Sequence, residues 1–450
     1  MKVSLRSTRN RNHTAQLALR QSPPQRSSAV QPGSSEDRFT PSSDLEGARD
    51  RGDSNPFTLG KLAFAMLAAA PAVGALTGVV QAQEVAVEQS VETLSPAEID
   101  LAQQQEVQPG TLIVSDFFDD RSGASHGEVV EKSSRELGFQ NSIVKRQAKE
   151  NASTRIAERY YSRLDGRQFS PEEMKEFTYD YMLHRQVGSL DSVSDEIDSL
   201  NEVGTRNSVL NLSRGWGKAQ IMESIYDRTR IAWDQTAHPQ SRTVGERRLN
   251  KLAPAFGLKA QDIIENVGET RAKFQQGLLS LLDEAGQDER LAVAQKRYDE
   301  AVSRFESNNN SVVVAAANSG RVLSTMALDA PTPELAPDFF RNRLANDEVT
   351  TVGATREMGG KEQVADYTNQ DPGIDFYADG QIDGAWGTSF ATPRTGAVMA
   401  QLHKENPEAT SAEVEAMLNR DFSHELSDYG SWVKAPALKE VEAGQWLKAR

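Results

Sequence analysis

Seven residues, Gly387-Thr388-Ser389-Phe390-Ala391-Thr392-Pro393, carry the strongest chemical signal in this 450-residue chain. A Gly-Thr turn that delivers Ser389 into the first turn of a helix leaves its hydroxyl beside backbone N–H groups that have no intrahelical acceptor. Those groups and the helix dipole can stabilise an oxyanion, which points to acyl-transfer chemistry. Pro393 fits this reading as a residue near the helix start, where N–H groups need no intrahelical acceptor. A serine hydroxyl becomes a useful nucleophile only beside a base. The chain has no cysteine, so thiolate nucleophiles, disulfides, iron-sulfur clusters and thiolate zinc sites are excluded, while six histidines remain. His13 lies in a polar leader, and His184, His238, His403 and His424 lie in charged or polar helical contexts. His126 alone stands between an apolar strand-like run and the helix-like run Gly127-Glu128-Val129-Val130.

The heptapeptide resembles the nucleophile block of the subtilisin-like serine proteases, the subtilases of peptidase family S8, whose pattern is Gly-Thr-Ser-x-Ala-x-Pro. Upstream, Glu348 to Thr355 (EVTTVGAT) is similar to the family's strand before the nucleophile, and Tyr377-Ala378-Asp379-Gly380 stands where that family has Ala-Pro-Gly. The resemblance implies an Asp, His, Ser order along the chain. Ser125-His126-Gly127-Glu128-Val129-Val130 is similar to the His-Gly-x-x-Val start of a helix, which makes His126 the general base. Asp116, ending the run TLIVS, takes the place of the aspartate that holds the imidazole, with Asp119 and Asp120 as nearby alternatives. Asn318, in Ala316-Ala317-Asn318-Ser319-Gly320, resembles the oxyanion-binding asparagine of an Ala-Ala-Gly-Asn block. Asn211-Leu212-Ser213-Arg214-Gly215 resembles the segment that walls the primary specificity pocket, so Ser213, Arg214 and Gly215 are expected to bind substrate. Arg214 replaces an apolar residue, and either lends the pocket a positive charge or turns to solvent.

The resemblance covers roughly residues 109–420 in five blocks. It departs most at Asp116-Phe117-Phe118, where the family has Asp-Ser/Thr-Gly and a longer loop before the histidine. It implies a serine endopeptidase that acts on protein or peptide substrates through an acyl-enzyme, with no cofactor; the sequence itself shows no metal site, having no compact calcium loop of the EF-hand type. The alternative is an inactive subtilase-fold scaffold or effector that binds a protein partner through its helical insertions. His126-Gly127 and Asn318 set the chain apart from the sedolisins, which pair Gly-Thr-Ser with Glu and Asp.

Elements must carry these side chains to one place. The runs at residues 111–115, 208–212, 311–317 and 349–354 have continuous apolar centres, as strands covered on both faces do. Helical periods lie between them, so the expected fold is α/β, a mostly parallel doubly wound sheet flanked by helices. Two long charged stretches, about 133–198 and 219–307, read as helical insertions. In the second, Leu291, Ala294, Tyr298, Val302 and Phe305 recur every three or four residues on one helix face and read as core, after a hairpin turn at Asp283 to Gln287.

The expected organisation is a disordered polar leader (1–60), a hydrophobic signal- or anchor-like segment (61–83), a linker (84–108) and a peptidase domain (109–450). Residues 62–80 hold 19 positions without a charge, just enough to span a bilayer, and Val80-Gln81-Ala82 fits a small-residue cleavage pattern. Export, membrane contact through 62–80, delivery into a host cell and a buried helix are all compatible with that pattern. The net charge is −15, and the 10 basic and 6 acidic residues of 1–61 leave 40 basic against 59 acidic in the remainder. A body this acidic repels phosphate backbones, so nucleic acid is excluded as its partner.

Overall fold

The computed structural model describes residues 107–118, 125–149, 151–266, 268–331, 334–426 and 435–450. The expected leader, the segment 61–83, residues 84–106 of the linker, Asp119 and Asp120 lie outside the described residues.

Strand β1 (Leu112–Asp116) is buried at all five positions, as its apolar run predicts. After helix α1 (His126–Leu137), strand β2 (Ile143–Gln147) pairs parallel to it with Ile143 opposite Leu112. Helices α2 (Ala152–Glu158), α3 (Tyr160–Gly166) and the 32-residue α4 (Pro171–Glu202) follow. Strand β3 (Val209–Leu212) then pairs parallel on the opposite side of β1. Helices α5 (Lys218–Arg230), α6 (Pro239–Leu252), α7 (Ala260–Glu265), α8 (Glu269–Gly286) and α9 (Glu289–Glu306) lead to β4 (Ser311–Ala315). Helix α10 (Val322–Asp329), β5 (Thr350–Met358), β6 (Lys361–Val364), β7 (Phe376–Asp379) and the hairpin β8 (Gln381–Ile382) and β9 (Ala385–Trp386) come next. The chain ends with α11 (Thr388–Glu405), α12 (Ser411–Phe422), β10 (Ser423–His424), β11 (Ala437–Leu438) and α13 (Glu440–Lys448).

The main sheet runs β2-β1-β3-β4-β5-β7-β11-β10, with β6 on β5; the β5–β6 and β10–β11 pairs are antiparallel and the others parallel. Strand order reverses between β1 and β3. In an open parallel sheet, such a switch point opens a crevice at the carboxyl ends of the strands. Asp116 and Ser213 stand at those ends.

Alternation along the strands divides the core. Ile113, Leu210, Leu212, Val312 and Val314 join the apolar cluster of α2–α10, while Leu112, Val114, Val209, Val313 and Val352 pack against α1, α11, α12 and α13. The helical insertions are therefore one full layer of the fold. Leu291, Ala294, Tyr298, Val302 and Phe305 are all buried in it. The structure differs from expectation at residues 143–147, where a strand interrupts the stretch read as helical. Lys145, Arg146 and Gln147 leave this strand exposed or half-buried, and so hide it among charged helices.

Helix α11 is the central helix, buried from Thr388 to His403. At Gly396 it lies so close to the sheet that a Cβ would sit 3.1 Å from both Leu112 and Val313 side chains. Among the described residues no helix is long and apolar enough to cross a membrane.

Candidate active site

The β1 end and the start of α1 form the first half of the site. Ser125 caps α1 with a reciprocal capping box to Glu128, which starts the helix at His126. The Gly127 N–H donates to the Phe117 carbonyl (3.0 Å), and a Cβ at Gly127 would lie 2.6 Å from the Phe118 ring. It is therefore an aromatic ring that this glycine admits. Phe117 and Phe118, directly after Asp116, are thus held against the start of the helix. His126 Nδ1 lies 2.8 Å from both carboxylate oxygens of Asp116, and the Phe117 N–H also donates to Asp116 (2.7 Å).

The Asp116 side chain is 1% exposed and the His126 side chain 25%. Burial opposes a charge on the imidazole, but the attraction of Asp116 and its hydrogen bond outweigh it and hold His126 above its ordinary value. This arrangement fixes Nδ1 as the protonated nitrogen and leaves Nε2 as an acceptor.

The second half is the start of α11. The His126 ring packs against Phe390, the neighbour of Ser389, with centroids 5.9 Å apart. Ser133 Oγ of α1 donates to the Phe390 carbonyl (2.8 Å) and accepts from Arg394 Nε (3.0 Å), so the two helices are pinned together here. Ser389 Oγ donates to the Ser213 carbonyl at 3.2 Å. Among the described residues no hydrogen bond joins Ser389 to His126.

Pro393 lies past the first turn of α11, so it is not excused by position as the sequence suggested. Its missing N–H leaves the Ser389 carbonyl without its i+4 donor. Ser213 Oγ supplies the replacement, donating to that carbonyl at 2.9 Å. Ser213 and Ser389 therefore hold each other through a reciprocal pair of bonds across the β1–β3 crevice.

Asn318 follows β4 at the same edge. Its Oδ1 accepts from the Thr388 N–H (2.8 Å) and Thr388 Oγ1 (3.0 Å), which orients the amide. The Nδ2 end has no acceptor among the described residues and lies 3.2 Å from where a Gly387 Cβ would be. Glycine at 387 keeps that space open beside the Ser389 N–H. Ala317, just before, has φ +82°, a left-handed conformation that an L side chain adopts at a cost. The bonds Ala317 N–H to Thr388 Oγ1 (3.1 Å) and Asn369 N–H to the Ala317 carbonyl (3.0 Å) hold it there. The alanine standing where the resembling block has glycine was the available signal.

Arg214 corrects the expectation for its side chain, which turns neither toward the crevice nor to solvent. Its Nη2 donates to Glu196 of α4 and to Ser115 Oγ, both at 2.9 Å, and Nη1 to Ser192 Oγ (3.2 Å). Ser115 Oγ also donates to Glu196. Arg146 of β2 lies 3.5 Å from the other Glu196 oxygen. A carboxylate 7% exposed draws both guanidinium groups inward, because a buried charge needs a partner. Glu196 ties the insertion layer to the residue preceding Asp116. Nothing in the local sequence around Arg214 signals it.

Among the described residues no group of three or more His, Cys, Asp or Glu side chains is arranged to hold a metal ion. The arrangement can do base-assisted nucleophilic chemistry. A buried carboxylate orients an imidazole, a serine lies in the first turn of a helix, and an oriented amide and a helix N–H converge beside it.

A family model described as the subtilase family matches residues 188–431. The matched segment holds Ser213, Asn318 and Ser389 and begins after Asp116 and His126. Among solved structures, the chain is similar to a lanthipeptide protease at 12% identity, with 78% of this chain and 92% of that one covered and a TM-score of 0.39. It is also similar to a cold-adapted subtilisin-like serine proteinase at 15% identity, with 75% and 97% covered and a TM-score of 0.35. A third is the prenylagaramide maturation protease PagA, at 14% identity, with 78% and 99% covered and a TM-score of 0.35. No curated protein sequence matches the chain.

Proposed function

The chain belongs to the subtilase family, and on that premise we propose that it is a serine endopeptidase acting on protein or peptide substrates through an acyl-enzyme. The observation that carries this reading is the 2.8 Å contact of His126 Nδ1 with Asp116, at the sheet edge that also holds Ser389 and Asn318. Ser389 Oγ leaves the Ser213 carbonyl, a single-bond rotation, and attacks the scissile carbonyl as His126 Nε2 takes its proton. Asp116 holds the Nδ1 proton and stabilises the imidazolium. The Asn318 Nδ2 and the Ser389 N–H receive the developing oxyanion, a contribution of about 3–4 kcal/mol in such sites. His126 then returns the proton to the leaving amine, and water repeats the sequence to release the acid.

The backbone of Ser213, Arg214 and Gly215 lines the acyl side of this crevice and pairs with extended substrate. No step needs a cofactor. The charge-free segment 62–80 directs export or anchoring of the enzyme. A catalytically inactive scaffold is the second reading, and the Ser389–Ser213 bond favours it, because the nucleophile is not engaged with its base.

Hydrolysis of a quenched peptide library separates the two. Cleavage by wild type that is lost in Ser389→Ala, and reduced about 10⁴-fold in Asp116→Asn, supports the enzyme. Equal residual cleavage in all three would mean a contaminant and an inactive fold.

A further inference from the structure

The start of α5 lies directly after the segment 213–217. Gln220, in its first turn, accepts the Gly217 N–H at 2.6 Å and donates to the Gly215 carbonyl at 3.3 Å. Residues three apart share a helix face, so Glu223 follows Gln220 on the face turned to this segment. Glu223 Oε2 accepts from Ser319 Oγ at 2.6 Å. Ser319 is the residue after Asn318, is 1% exposed and is itself fixed by donating its N–H to Asn369 Oδ1 (2.7 Å). Glu223 therefore closes the corner between 213–217 and 318–319, the two segments that flank Ser389 on the acyl side.

No Lys, Arg or His pairs with Glu223 among the described residues, and the charge acting on it is another carboxylate, Asp227, one turn along α5. Burial, with Asp227 adding and the Ser319 bond opposing, pushes Glu223 up to about 7. Glu223 is half-buried, and a carboxylate held partly out of water without a cation gains when a cation arrives. Arg214 does not supply it, since its guanidinium is committed to Glu196.

We propose that Glu223 is the specificity-determining residue of this site and selects a Lys or Arg side chain on the acyl side of the scissile bond. The inference rests on the serine endopeptidase reading and adds its substrate class: peptides cut after a basic residue. Asp227 contributes negative field without direct contact.

The test uses the full chain and fluorogenic peptides that differ only at the acyl-side residue: Lys, Arg, Gln, Leu or Glu. Wild type is expected to prefer Lys and Arg over Leu at least tenfold in kcat/KM. In Glu223→Gln that ratio falls at least tenfold, and in Asp227→Asn two- to threefold. Fluorophosphonate labelling of each variant, with a probe that lacks an acyl-side side chain, reports whether its nucleophile is intact. A second measurement titrates p-aminobenzamidine, a small aromatic cation, into Ser389→Ala and into the Ser389→Ala/Glu223→Gln double variant. Saturable fluorescence enhancement is expected only in the first. A labelled wild type whose Lys-to-Leu ratio is unchanged by Glu223→Gln, or that prefers Leu, overturns this inference and leaves the endopeptidase reading standing. A folded wild type that neither labels nor cleaves any peptide overturns both.

Discussion

Replacing Glu196 by Gln keeps the shape of the side chain and an acceptor for Ser115, and removes only the charge. Arg214 and Arg146, whose side chains are 13% and 12% exposed, then face each other without the anion between them. Attraction between unit charges about 4 Å apart at an effective dielectric near 20 is about 4 kcal/mol per pair. Part of this only offsets desolvation, and breaking a buried pair by removing one partner costs about 3–5 kcal/mol. Replacing Arg214 by Met instead leaves Glu196 with Arg146 and a methylene stem in place, so the expected loss is about half as large. For an ordered body of roughly 340 residues, 1 kcal/mol corresponds to about 1.4 °C in Tm. Glu196→Gln should therefore lower Tm by about 4–7 °C and Arg214→Met by about 2–4 °C. The double variant should lose less than the sum, because the two changes act on one interaction. Scanning calorimetry in a Ser389→Ala background, which rules out any self-cleavage through the proposed nucleophile, reads all three. A Glu196→Gln shift below 1 °C, or strict additivity, would refute the argument that this carboxylate holds the two layers together. So would an Arg214→Met enzyme, otherwise wild type, whose acyl-side preference is reversed, since that would put the guanidinium in the pocket.

Three further outcomes follow from single residues. Ala317→Gly relieves a left-handed backbone conformation and should raise stability by about 1 kcal/mol, read as a Tm increase; a decrease would show that the alanine methyl packs favourably. His126 must be neutral to act, and Asp116 holds it above its ordinary value, so the acid limb of kcat/KM should lie above pH 6.5. In Asp116→Asn burial alone remains and the residual activity should show that limb at lower pH. His403 is buried, has Ser311 Oγ (2.8 Å) as its one hydrogen-bond partner among the described residues, and is pushed down to about 4 by burial. The unfolded chain then binds the extra proton between about pH 6.5 and 4, so stability falls as pH falls through that window, by on the order of 3 kcal/mol. His403→Gln should flatten that part of the curve. Glu306, raised to about 8 by burial and joined to the same chain through Ser411 and Ser311, acts in the opposite sense, losing stability as pH rises from about 4.5 to 8. The wild type minus variant difference is therefore the quantity to read, and no difference between pH 4 and 6.5 would count against a neutral buried His403.

The strands that form the middle of the sheet were legible because burial on both faces demands a continuous apolar run, as in Leu112-Ile113-Val114 and Val312-Val313-Val314. Strand β2 was not legible, because its lysine and arginine serve Glu131 and Glu196 rather than an apolar face. The start of α11 was visible in Gly387-Thr388-Ser389, yet the way Pro393 is accommodated depends on Ser213, which lies 176 residues before Ser389 in sequence. The direction of Arg214 is fixed by a carboxylate on a helix that precedes it, and Glu223 reads in sequence as an ordinary charge on an amphipathic helix. Patterns of burial are local properties of a sequence. The partner of a buried polar group is not, and each feature missed here is a polar group whose partner comes from another layer.

The central claim is that Ser389 is an activated nucleophile. Intact-mass analysis after fluorophosphonate treatment of the full chain, beside Ser389→Ala and His126→Ala, tests it most directly. One adduct per chain on wild type, none on Ser389→Ala and strongly slowed labelling of His126→Ala is the predicted result. A folded wild type that stays unlabelled in excess reagent, or a Ser389→Ala protein that labels as fast as wild type, would contradict it.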